Sequence, residues 1–89
     1  MATEDERLSA TDSSSSVSFS AECYYVEIYN EGSDTVYINL DQTGPATTNN
    51  FPIDAGETLK IYADITDIYA ICGTGETGVL QITGTRWDQ

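Results

Sequence analysis

Gly73, Gly75 and Gly78 stand in the spacing G-x-G-x-x-G, with which a loop brings backbone amides up to a pyrophosphate. That chemistry needs a helix immediately after the loop, its N-terminus aimed at the phosphates. The residues after Gly78 are instead VLQIT, 79–83, short and rich in strand-forming types. The eleven residues left after Gly78 are too few for the missing helix and strand. A P-loop would carry a lysine after its last glycine, and this stretch has none and holds Glu76 instead. The glycines therefore read as a turn, where φ above zero is needed.

Two acid pairs, Asp54 with Glu57 and Asp64 with Asp67, are each three residues apart. Paired carboxylates can do general acid–base work when a cleft pushes their pKa values apart. Both pairs sit in turn-like sequence, where acids cap backbone amides, and capping is the expected role. A hard cation such as Ca²⁺ would accept such oxygens, but no EF-hand spacing is present, so weak cation binding is the most they suggest. The chain has no histidine, which removes the usual base for a serine or cysteine nucleophile. Cys23 and Cys72 have neither C-x-x-C spacing nor histidine partners for zinc. They are expected as small buried hydrophobes rather than a disulfide. No enzyme and no cofactor is expected.

The charge is lopsided: 15 acidic residues against Arg7, Lys60 and Arg86, a net charge of −12. No basic patch can form for a phosphate backbone, and anionic membranes would repel the chain. No apolar run approaches the 18 residues of a spanning helix. The start, MATEDERLSATDSSSSVSF, lacks the basic and apolar regions of a signal peptide. Such acidity suits either a basic partner or a very salty solvent that screens self-repulsion. The near absence of lysine favours the salt.

A fold of 89 residues buries only about 60–65% of its unfolded surface, so the core is small. Residues 1–16 are polar and serine-rich and are expected to be a flexible arm. Residues 17–89 alternate in the manner of strands. VSF is a short one. In YYVEIYN, Tyr24, Val26 and Ile28 point inward, and Tyr25, Glu27 and Tyr29 outward. EGSD turns the chain into TVYINLD, with Val36, Ile38 and Leu40 inward, and these two segments form the expected hairpin. Residues 42–50 are a loop containing Pro45. FPI is an edge-like strand with Phe51 and Ile53 on one side, and DAGE is a turn. Leu59, Ile61 and Ala63 point inward in the next strand. A bend at DITD precedes another strand at residues 68–72, and VLQIT closes the sheet with Leu80 and Ile82 inward. Six or seven such strands predict an all-β domain, a small antiparallel β-sandwich or jelly roll.

Tyr25, Tyr29, Tyr37 and Tyr62 fall on faces opposite the core positions. Tyrosine there can simply fill cross-strand pairs, but it is also enriched in protein interfaces. With so small a core, these four and Trp87 are the expected interface residues. Rings of this kind can also bind sugars, which would make the chain a carbohydrate- or receptor-binding module. The acidity leaves a third reading, an inhibitor of a basic host protein.

The pieces VEIYN (residues 26–30), VYINL (36–40), FPIDAGE (51–57), IYAI (68–71) and GVLQI (78–82) resemble small accessory virion proteins of tailed viruses. The acidic, lysine-poor composition resembles that of viruses of haloarchaea. This resemblance implies a symmetric oligomer among other virion proteins, in capsid decoration, a turret or a tail connector, with no catalytic residues to carry over.

Overall fold

The computed structural model of the chain describes residues 2–40 and 44–87. Its elements are β1 (Ala2–Ala10), β2 (Ser15–Asn30), β3 (Val36–Asn39), β4 (Phe51–Ile53), β5 (Thr58–Cys72) and β6 (Gly78–Arg86). All pair antiparallel in one six-stranded sheet ordered β1-β6-β2-β5-β3-β4. The expected all-β class and strand number hold. The strands belong to one continuous, unclosed sheet rather than to two separate ones. Among the described residues no helix is long and apolar enough to cross a membrane, which says nothing of strands.

The long strands β2 and β5 bend the sheet. In β2 the inward positions are Phe19 and Cys23, then Val26 and Ile28, so the inward parity flips between residues 23 and 26. In β5 it flips between Ile65 and Ile68. The β2–β5 register shifts on both sides of Cys23. Irregularities of this kind turn a strand and increase its twist. The sheet thereby folds over on itself, and all six strands feed one core, from Leu8 on β1 to Ile53 on β4 and Ile82 on β6. Two glycines of β6 mark where its halves meet. A Cβ at Gly84 would lie 2.6 Å from Cys23 Sγ and 2.7 Å from Phe19 Cζ, and one at Gly78 would strike Val36. Cys23 and Cys72 are both buried and free. They pack at Gly84 and Gly78 respectively, six residues and roughly 20 Å apart along the strand, far beyond disulfide reach.

Four expectations need correction. The arm expected at residues 1–16 is ordered over its described part. Residues 2–10 form β1, paired with β6 along its whole length, Leu8 opposite Leu80. Only Leu8 and Ala10 are buried apolar residues there, so the sequence carried almost no hydrophobic alternation. The strand is held partly by side chains. Glu4 accepts from the Ser20 amide (3.1 Å) and hydroxyl (2.8 Å), Ser15 Oγ donates to the Ser9 carbonyl (3.1 Å), and Cys72 N–H donates to the Thr11 carbonyl (2.7 Å). The serines thus bridge β1 to β2 where no ladder runs.

Second, residues 24–30 and 36–40 form no hairpin: β5 lies between β2 and β3. Asn30, fully buried, makes this crossing corner. Its Nδ2 donates to the carbonyls of Asp34 (2.9 Å) and Ile53 (2.8 Å), and its Oδ1 accepts from Gly32 N–H (3.0 Å). Its own N–H and C=O bond Glu57 O and Gly56 N. One side chain therefore ties its turn to the end of β4, and every buried polar atom of it is satisfied.

Third, β5 runs unbroken through the DITD bend, because a bulge keeps the ladder to β2 while redirecting the chain. Fourth, some expected core positions are not core. Tyr24 is only half-buried, Ala63 is exposed, and Phe51 is 57% exposed although Ile53 beside it is buried. The expected loop at residues 42–50 is irregular over 44–50, and its first two positions lie outside the described residues.

Candidate protein-contact face

The glycine loop connects β5 to β6, which are not neighbours in the sheet. Gly75 has φ 76°, the left-handed region that glycine adopts freely. The loop's amides already have acceptors: Gly75 N–H donates to Asp12 Oδ2 (3.1 Å), and Thr77 N–H to Asp34 Oδ2 (3.2 Å). Carboxylates of the chain itself occupy the positions an anionic ligand would need. The pair Asp54 and Glu57 caps its own turn. Asp54 N–H donates to Glu57 Oε1 (3.0 Å), Glu57 N–H to the Asp54 carbonyl (3.0 Å), and Thr35 Oγ1 to Asp54 Oδ1 (2.8 Å). Asp64 and Asp67 are not alike: Ser18 Oγ donates to Asp67 at 2.5 Å, while Asp64 is exposed. Among the described residues no three His, Cys, Asp or Glu side chains gather as metal ligands would.

One carboxylate pair is perturbed. Glu4 is held down, from 4.5 to about 2, by the Ser20 hydroxyl first and then by Arg86, whose Nη1 lies 2.7 Å from Oε1. Glu6 is pushed up by its hydrogen bond to Glu4 first, then by burial and by the Glu4 charge. Arg86 is pushed up in turn by Glu4. The Cys23 thiol nearby is pushed up by burial, which suppresses the reactive thiolate. The group fastens the seam between β1 and β2, with the Glu4 oxygens taken by Ser20 and Arg86.

The outward tyrosines divide. Tyr25, Tyr29 and Tyr62 share the outer face of the half built from β1, β6, the end of β2 and the start of β5. The register places Tyr25 opposite Tyr62, Glu27 opposite Lys60 and Tyr29 opposite Thr58 on β5, and Tyr29 opposite Gln81 on β6. The rings of Tyr25 and Tyr62 lie 4.5 Å apart at a 31° tilt. Tyr25 Oη donates to Glu27 Oε2 at 2.8 Å, and its pKa is raised to about 12, by burial first and then by the Glu27 carboxylate. Tyr62 remains 80% exposed and Tyr29 42%. Tyr37 is not part of this patch: it lies on β3 between Ile71 and Pro52, at the far end of β5. Trp87, 67% exposed, follows the end of β6 and stacks on Tyr24 with ring centroids 4.8 Å apart.

Sequence reasoning missed two further features. One is Phe51, exposed over a groove of about 340 Å³ lined also by Pro52, Ile53, Glu57, Thr58 and Leu59. Its pairing with Ile53 in a short strand signalled the core, and nothing in the sequence marked the strand's outer end as open. The other is the free edge of β5. Residues 58–62 pair with β2 on one side, whereas β3 covers only residues 69–72 on the other. No strand among the described residues lies beside residues 58–64 there.

A protein-family model, a curated protein and a solved structure were each sought for the chain, and none of the three searches found a match.

Proposed function

We propose that the chain is a non-enzymatic building block of a larger protein assembly, working through the outer sheet face of Tyr25, Tyr29 and Tyr62. The observation that carries this reading is the exposure of Tyr62. An 80% exposed aromatic, in tilted contact with a second tyrosine on the outer face of the sheet, is the composition of an interface core rather than of a solvated surface. The loop amides of Gly75 and Thr77 and the acids Asp54, Glu57 and Asp67 are engaged in internal hydrogen bonds, which leaves the face as the chemistry on offer. The specific assembly proposed is a tailed-virus particle made in high salt, where the chain would join sister subunits and other virion proteins in capsid decoration, a turret or a tail connector. Support for that narrower part is the resemblance of the strand pieces and the acidic, lysine-poor composition.

The experiment replaces Tyr29 and Tyr62 by serine, singly and together, and follows sedimentation in molar salt with and without purified capsid shells. Loss of self-association or of shell binding, with an unchanged circular dichroism spectrum, supports the reading. A wild-type monomer indifferent to shells overturns it. Tyrosine fluorescence against a glycan panel separates the sugar-binding alternative, for which a specific glycan must quench Tyr62.

A further inference from the structure

We propose that two copies of this chain join edge to edge through the open side of β5, antiparallel about a two-fold axis at Tyr62, making one continuous sheet across the pair. The inference rests on the outer face being a contact face, and it names the partner and the register.

An uncovered sheet edge is a template for another strand. Proteins that avoid such pairing blunt the edge with proline, with charged side chains, lysine above all, or with very short strands, so charges on an edge that pairs must be met by partners across it. The opposite edge strand, β4, has three residues with Pro52 in the middle. The open stretch of β5 has no proline and reads TLKIYAD. Lys60, Tyr62 and Asp64 alternate outward, and Leu59 and Ile61 inward against the core.

Symmetry restricts the register. A two-fold axis normal to a sheet keeps paired side chains on one face only if the paired residues share parity, because successive residues point to opposite faces. The axis must therefore pass through a residue. Centred on residue 60, it sets lysine against lysine. Centred on 61, it sets Lys60 against Tyr62 and Asp64 against Thr58. Centred on 63, it sets Tyr62 against Asp64. Centred on Tyr62, it sets Lys60 against Asp64 twice, once on each side of a Tyr62–Tyr62 pair. That register alone satisfies both charges.

The side chains are prepared for it. Arg7 and Arg86 are engaged by Glu31 and Glu4. Lys60 makes no ion pair among the described residues; Glu27 lies opposite it on β2, but its carboxylate accepts from Tyr25 instead. Asp64 is exposed and likewise unengaged among the described residues. With strands about 4.8 Å apart, Tyr25 and Tyr62 of one copy and Tyr62 and Tyr25 of the other form a row of four rings. Phe51 and its groove adjoin the start of the same edge. At a net charge of −12 per copy, pairing requires salt to screen the long-range repulsion.

The test uses the full chain and charge exchange. K60D and D64K each place two like-charge contacts across the axis. Each is expected to weaken self-association by about tenfold or more, from the usual size of cross-strand charge pairs. K60D/D64K keeps the wild-type net charge and restores both contacts, so it associates as wild type does. K60D mixed with D64K forms a mixed dimer, since each chain supplies what the other lacks. Sedimentation equilibrium at one fixed salt concentration reads all four, and circular dichroism checks that each is folded. Single variants that associate like wild type, or a mixture that stays monomeric while the double variant dimerises, overturn the proposal. A wild-type chain that is monomeric throughout also overturns it. If Y29S abolishes assembly while K60D and D64K do not, the edge pairing fails and the contact-face reading stands.

Discussion

Replacing Gly84 by alanine tests the fold-over that builds this core. The added Cβ would stand 2.6 Å from Cys23 Sγ and 2.7 and 2.8 Å from two carbons of the Phe19 ring. Ordinary carbon contacts are about 3.5–4.0 Å, so all three are about 1 Å too short. Phe19 and Cys23 are themselves buried and have little room to retreat. Overpacking of this order costs about 1–3 kcal/mol. Alanine also restricts the unfolded chain, which returns about 0.4–1 kcal/mol. The net expectation is a loss of about 1–2 kcal/mol, a Tm lowered by roughly 5–15 °C for a domain of this size. Urea titration followed by circular dichroism reads it, with an unchanged m-value. F19L removes the two ring carbons. It costs about 1 kcal/mol alone, and F19L/G84A should then recover at least about 0.5 kcal/mol relative to the sum. A G84A chain as stable as wild type, or strictly additive variants, would refute the claim that β6 packs face to face with the Phe19 bulge.

The other expectations concern the corner, the seam and the tyrosine face. N30A leaves the buried carbonyl of Ile53 and the carbonyl of Asp34 without their donor and should destabilise the chain by about 2–4 kcal/mol, visible as a lower urea midpoint. Glu4 titrates in the folded chain near pH 2 rather than 4.5. It therefore stabilises the β1–β2 seam above pH 4.5, and that contribution fades as pH falls towards 2. The Ser20 amide resonance should move with the low midpoint, and a midpoint at the ordinary value would contradict the contact. Tyr25 is raised to about 12, so its un-ionised form favours the folded state below pH of about 10 and that contribution is lost as pH rises towards 12. Tyrosinate absorbance should show Tyr25 ionising late, and E27Q should bring it down.

Much of the strand content was legible because Val26, Ile28, Val36, Ile38, Leu80 and Ile82 alternate with polar neighbours, and all six are buried. Pairing was not legible. The hairpin signal across EGSD is a local one, whereas Asn30 acts through Ile53, 23 residues away. Strand β1 was hidden because its inward face carries Glu4 and Glu6 as well as Leu8 and Ala10, and side-chain hydrogen bonds to serines replace hydrophobic burial. The tyrosine face was legible by parity within each strand, which gave Tyr25, Tyr29 and Tyr62 an outward direction. It could not show that Tyr37, with the same local pattern, sits at the other end of a bent β5. The free edge depends on sheet order and has no local signature.

The central claim is that this chain works by associating through its tyrosine-bearing sheet. Light scattering on the full chain from about 0.1 M to about 3 M salt, where the screening length falls from about 10 Å to below about 3 Å, tests it most directly. The account predicts a defined oligomer of even subunit number that strengthens as salt screens the charge. A monomer at every salt and every concentration would contradict it.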